Sequence, residues 1–270
     1  MNKKTSIIIC LIAALLLITT DNAAKQATGL IEISQKDIPL TITEPGSYIL
    51  VSNLSINEPN ITAIFIPTDN VTIDLNGFTI KGPGKGTGGM GFAINTNVNN
   101  NIVIQNGSVK DFGYVGVHLP GNNNTVENVR VSHCASEGIF VGRCSVIQNC
   151  QVAFCVAAVN TDDGSMVINN TIYSNGRGIL TSGDAPGPVG GVTVIGNNCR
   201  LNSVGIRVKG KGCQIEGNTV TENGIGIDLT DGADNYFARN VLVGNSTAVK
   251  GESDDIDGGS IASALSNIII

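Results

Sequence analysis

Residues 217–228 read "GNTVTENGIGID", and the same pattern returns as "NNTIYSNGRGIL" (169–180), "GNNCRLNSVGIR" (196–207) and "RNVLVGNSTAVK" (239–250). All four fit the template N-x-x-x-x-N-x-x-[GA]-[IV], and a fixed period of this kind marks a repeat architecture. The first Asn of the template falls at Asn170, Asn197, Asn218 and Asn240, the second at Asn175, Asn202, Asn223 and Asn245. Weaker copies carry the first-Asn series upstream through Asn106, Asn128 and Asn149, with intervals of 22, 21, 21, 27, 21 and 22 residues. The single long interval holds an extra loop, "SGDAPGPVGG" (182–191).

Within each repeat, apolar residues alternate over short runs such as "GIRV" and "GIDL", with Gly and Asn between them. Alternation of period 2 marks short strands, while Gly and Asn supply the left-handed backbone that tight bends need. Short strands recurring every 21 or 22 residues describe an all-β solenoid. It is a right-handed parallel β-helix with three short parallel strands per coil and roughly 8–9 coils. Strands are expected at 71–75, 102–105, 192–195 and 225–229. Equivalent residues of adjacent coils then lie about 4.7–4.9 Å apart. At that spacing the amides of Asn175, Asn202, Asn223 and Asn245 stack into a ladder, satisfying groups that a bend would otherwise bury unpaired.

Composition supports a packed chain of unusual make-up. Of 270 residues 41% are hydrophobic, enough for a core, but only 14% are charged and 4% aromatic, with 34 Gly and no Trp. This is neither a disordered tail nor an ordinary helical domain. A net charge of −6 with no cluster of Lys and Arg argues against nucleic acid as a partner. Lys3 and Lys4 followed by the apolar run Ile7–Ile18 read as a signal peptide over residues 1–24, with no integral membrane segment after it. The chain is therefore expected to be secreted, periplasmic or at the cell surface. Six cysteines follow the leader: Cys134, Cys144, Cys150, Cys155, Cys199 and Cys213. Their spacing fits no zinc pattern, and small apolar core residues are the simpler reading. Cys134 and Cys155 share one template position on consecutive coils and are the one pair placed for a disulfide.

The segments "PGSYILVSNLSI" (45–56) and "DNVTIDLNGFTI" (69–80), followed by the repeats up to about Gly251, resemble the right-handed β-helix proteins of the pectin-lyase-like superfamily. The resemblance implies one domain over 30–270, with an N-terminal cap region at 30–68, coils at 69–251 and a C-terminal cap or tail at 252–270. It leaves activity open, because the same coil serves lyases, hydrolases, epimerases, tailspikes and adhesins.

Aligning the repeats at the [GA]-[IV] pair gives one strand per coil whose outward residues include His118, Phe140, Asn160, Asp162, Arg207, Lys209 and Asp228. The string "NTDDG" (160–164) is similar to the Asn-Thr-Asp element of polygalacturonases. In the same comparison "SGDA" supplies Asp184, and "RVK" (207–209) is similar to a later Arg-Ile-Lys element; the intervening Gly-His-Gly element is absent. Two functions follow from these residues. As an enzyme, the chain has Asp162, Asp184, Arg207 and Asp228 as its catalytic candidates. Inverting hydrolysis needs two carboxyl groups about 6.5–9.5 Å apart, and a lyase needs a base with Ca²⁺ on carboxylates. As a binding protein, it contacts an extended polysaccharide through His118, Phe140, Asn160, Asp162, Arg207, Lys209 and Asp228. The missing element favours binding or a purely structural role. No cofactor and no metal site is expected, Ca²⁺ entering only with the lyase reading. Arg207 beside Asp228 also reads as a cross-strand ion pair, and Asp162–Asp163 before Gly164 as turn residues.

Overall fold

The structure, a computed structural model, describes residues 29–181, 190–251, 256–257 and 267–270. The leader at 1–24, Asp184 and most of the tail at 252–270 lie outside the described residues. Every strand pair among the described residues is parallel, and the chain winds as a right-handed β-helix. One sheet takes a single strand from each coil and has ten strands, from Leu40–Thr41 and Ile64–Ile66 to Ile225–Asp228 and Thr247–Lys250. The other two walls of the coil merge into one 19-strand sheet. They merge because strands such as Val103–Lys110 and Thr125–Ser132 run straight through the bend between them. The strand expected at 102–105 therefore extends to Lys110. Among the described residues ten coils each give a strand to this sheet, rather than eight or nine, because residues 30–68, which carry no template Asn, already contribute two of them.

Inward columns of Val and Ile fill the coil. Val117, Ile139, Val159, Ile179, Ile206 and Ile227 lie level on successive strands and are fully buried. The small residue of the template sits beside this column for a steric reason. A Cβ on Gly205 would stand 2.6 Å from the Gly226 carbonyl oxygen and 2.7 Å from Val220 Cγ1. A larger side chain there would push two walls apart.

Each bend follows one construction, in which a residue with left-handed backbone turns the chain and the next residue points inward. At the second bend the turning residues are Asn106, Asn128, Asn149, Asn169, Gly196, Gly217 and Arg239, all with positive φ. Gly meets this conformation without a Cβ clash and Asn through local hydrogen bonding. Gln148 is level with Ile168, which places Asn149 beside Asn169 and not beside Asn170. The upstream repeat register read from the Asn spacing is thus one residue out. Asn106, Asn128 and Asn149 face outward, and the inward position belongs to Gly107, Val129 and Cys150. The slip arises because both positions of this bend accept Asn.

Downstream the inward positions are asparagines joined by hydrogen bonds. Asn170, Asn197, Asn218 and Asn240 each donate their side-chain amide to the Oδ1 of the next asparagine in the row, which ends at Asn267, at 2.9–3.0 Å. At the third bend Asn175, Asn202 and Asn223 do the same along a row that ends at Asn245, at 2.9–3.1 Å. Their remaining amide protons go to strand carbonyls one coil back, at Val152, Ile172, Cys199 and Val220.

The same third-bend position holds Cys155 and Cys134 on the preceding coils, and the Cys155 backbone N–H donates to Asn175 Oδ1 at 2.9 Å. All six described cysteines are free thiols, which corrects the disulfide expected between Cys134 and Cys155. Stacked residues of parallel coils point the same way, so the two sulfurs meet side by side. The contact with Cys155 and burial together push the Cys134 thiol up, and burial pushes Cys150 and Cys199 up to about 12.

Candidate functional site on the ten-strand face

The outward column of the ten-strand sheet runs Phe65, Asn95, His118, Phe140, Asn160, Leu180, Arg207, Asp228, Lys250 from coil to coil. It splits into an aromatic part and an ionic part. In the aromatic part His118 stacks on Phe140 with ring centres 5.0 Å apart and planes 27° apart. Phe92 lies 5.2 Å from His118, and Tyr114 meets Phe92 edge-on at 5.1 Å. All four rings are half-buried, so each keeps part of its surface toward solvent. His118 Nδ1 stands 2.8 Å from Asn95 Oδ1, a contact that assigns the ring proton to Nδ1 and leaves Nε2 as an acceptor. Burial lowers the His118 pKa, partly offset by the Glu137 carboxylate.

The ionic part is closed on itself. Arg207 Nη2 lies 2.5 Å from Asp231 Oδ2, and its Nε 3.9 Å from Asp228 Oδ2. Asp228 is 4% exposed and its Oδ1 accepts from the backbone N–H of Thr230 at 3.2 Å and from its hydroxyl at 2.5 Å. A carboxylate so committed holds a turn in place, and a guanidinium beside two carboxylates has no vacant base to offer. Lys209 is exposed, with its backbone N–H donated to Thr181. Asp162 is half-buried at the turn that follows the strand Ala157–Thr161. The next residue, Asp163, pairs with Arg143 at 3.4 Å and accepts from the Gly190 N–H at 2.5 Å.

Between the two parts the face is covered. Asn160 is 4% and Leu180 6% exposed, which corrects the expectation of an open polar row from Phe140 through Asn160 to Arg207 and Asp228. His118 and Phe140 are thus brought together, as are Arg207 and Asp228, while Asn160 separates them. Sequence reading missed Phe92, Tyr114 and Asp231, which stand in the connections flanking the strands where the repeat template carries no mark. Asn95 was readable as the residue one coil before His118.

Solved structures share this architecture. The chain superposes on the A-module of the mannuronan C-5 epimerase AlgE4 from Azotobacter vinelandii with a TM-score of 0.65 at 14% identity, covering 92% of this chain and 88% of that one. A rhamnogalacturonan lyase gives 0.62 at 14% identity, covering 90% and 77%. A structure of XylC with xylose gives 0.53 at 11% identity, with 72% of this chain covered and only 38% of that one. At these identities the likeness shows the fold. No curated protein sequence matches the chain.

A family model described as periplasmic copper-binding protein (NosD) matches residues 31–260. Among the described residues the His, Cys, Asp and Glu side chains do not assemble a copper centre, no three of them coming together to hold a metal. His118 is tied to Asn95 on the ten-strand face, and His133 stacks on Phe154 at the third bend. Cys134, Cys150, Cys199 and Cys213 lie in the core with their thiols pushed up, which opposes the thiolate that copper requires; Cys155, in contact with Cys134, is shifted down instead. Among the described residues no helix is long and apolar enough to cross a membrane. Matched over residues 31–260 and built of parallel coils in its described residues, the chain belongs to the NosD family of periplasmic proteins.

Proposed function

We propose that this periplasmic β-helix protein binds an extended polysaccharide along its ten-strand face, with Phe92, Tyr114, His118 and Phe140 as the platform on which sugar rings stack. The observation that carries this reading is the contiguity of four half-exposed rings in a chain with seven Phe, four Tyr and no Trp. Aromatic faces bury the apolar side of a sugar ring, while Asn95 and the free Nε2 of His118 serve its hydroxyls. Binding is favoured over catalysis because Arg207 and Asp228 are engaged with Asp231 and Thr230. The test is to incubate the pure protein with acidic and neutral polysaccharides, with and without Ca²⁺, following binding, reducing ends and absorbance of unsaturated products. Binding without product is expected, and Phe140→Ala weakens it about three- to tenfold, the worth of one stacked ring. Product formation in wild-type protein would overturn the binding reading in favour of a lyase or hydrolase.

A further inference from the structure

The outward asparagines of the second bend line a groove of about 600 Å³ outside the angle between the two walls of the 19-strand sheet. Asn106, Asn128, Asn149 and Asn169 stand level on four successive coils, with Arg130 and Gln151 on the strands that leave the bend. The groove stops at the coil of Asn169, where the turning residue of the next coil becomes Gly196. Gly196 and Gly217 take the same left-handed backbone as the four asparagines. The fold therefore needs no amide at this position, and four of them in a row are surplus to it.

Their hydrogen bonding points the same way. Asn106 is satisfied, donating to Asp74 at 3.1 Å and accepting from Asn128 at 3.4 Å. Among the described residues the side-chain amides of Asn149 and Asn169 and the guanidinium of Arg130 have no protein partner, and all three residues are exposed. A primary amide both donates and accepts, as a hydroxyl does. Repeated at about 4.8 Å, such amides match a ligand that presents hydroxyls at every step of an extended chain. Asp74 and Glu127 lie level on the strand leading into the bend, and with a net charge of −6 they disfavour an anionic chain.

We infer that this groove is a second binding site, taking an extended, uncharged glycan through the amides of Asn149, Asn169 and Gln151 and the guanidinium of Arg130. No aromatic ring lines it, so its contacts are polar and individually weak, unlike the stacking platform of the ten-strand face.

The test titrates the full chain with uncharged hexasaccharides, such as cellohexaose, maltohexaose and mannohexaose, while side-chain NH₂ signals are followed by NMR. Asn149, Asn169 and Gln151 are expected to shift with at least one of them. The double variant Asn149→Gly/Asn169→Gly keeps the left-handed bend, and Arg130→Ala does not touch it. The double variant is expected to lower the affinity about tenfold and Arg130→Ala about threefold, with the thermal midpoint of folding little changed. Phe140→Ala is expected to leave this binding intact, so the groove and the aromatic platform fail independently. Absence of any shift at millimolar oligosaccharide, or equal affinity in the Gly and Ala variants, would overturn the assignment.

Discussion

Asn202 accepts hydrogen bonds from both the backbone N–H and the side-chain amide of Asn175, at 3.0 Å each, and donates to the Ile172 carbonyl and to Asn223. It is 3% exposed, so none of these partners can turn to water when the side chain is removed. Asn202→Ala should therefore cost about 1–3 kcal/mol, the penalty for leaving buried polar groups unsatisfied. Arg200 stands two residues away and bonds Glu222 at 2.8 Å, but both side chains are about half exposed. Arg200→Ala should cost well under about 1 kcal/mol. Urea denaturation of the two variants checks the contrast, and an unchanged midpoint for Asn202→Ala would show that water replaces the missing amide. At this scale the sequence was legible where Asn fills the inward position and ambiguous where it fills the turning one. Adjacent residues of a bend both favour Asn, one for hydrogen bonding and the other for left-handed backbone, so spacing alone does not separate Asn149 from Asn170.

The ten-strand sheet shows what a strand pattern carries and what it omits. Alternation placed His118, Phe140, Arg207 and Asp228 on its outward side, as the register of the strands has them. It did not reveal that Leu180 and Asn160 are buried, because alternation marks the side of the sheet a residue faces and not what packs over that side. It also missed Phe92 and Tyr114, whose rings reach the face from connections. His118 reports on that packing. Phe92 and Phe140 flank its ring, Asn95 takes Nδ1, and the Glu137 carboxylate acts on it electrostatically. Burial outweighs Glu137, so the folded pKa lies below the 6.5 of an ordinary imidazole. A lowered His pKa means that folding favours the neutral ring. This contribution to stability is present above about 6.5 and is lost as the pH falls from there through the folded pKa. An NMR titration should place the His118 midpoint below 6.5, and Phe140→Ala, which admits water, should move it back up. A midpoint at or above the value for a free imidazole would show the ring to be solvated, and the aromatic platform would lose its packed centre.

Across the whole molecule, each coil adds one strand to every wall, so any ligand lying along the axis meets the same kind of contact about every 4.8 Å. This geometry sets how affinity should depend on ligand length. Exposed polar contacts and single stacked rings are each worth little, and a disaccharide that reaches one or two coils should bind only weakly. An oligomer spanning Asn95, His118 and Phe140 adds contacts without paying again for lost rotation and translation. Affinity should then rise on the order of tenfold from the dimer to the hexamer and level off once the open part of the face is filled, since Asn160 and Leu180 are covered beyond it. Calorimetric titration with a length series of one polysaccharide measures this directly. An enzyme would behave differently, because losing a catalytic carboxylate removes transition-state stabilisation and leaves ground-state binding largely intact. Asp162→Asn is the discriminating variant. Turnover in wild-type protein that disappears in Asp162→Asn while hexamer binding persists would replace the binding reading with a catalytic one, whereas unchanged binding with no turnover in either protein keeps the face as a non-catalytic platform.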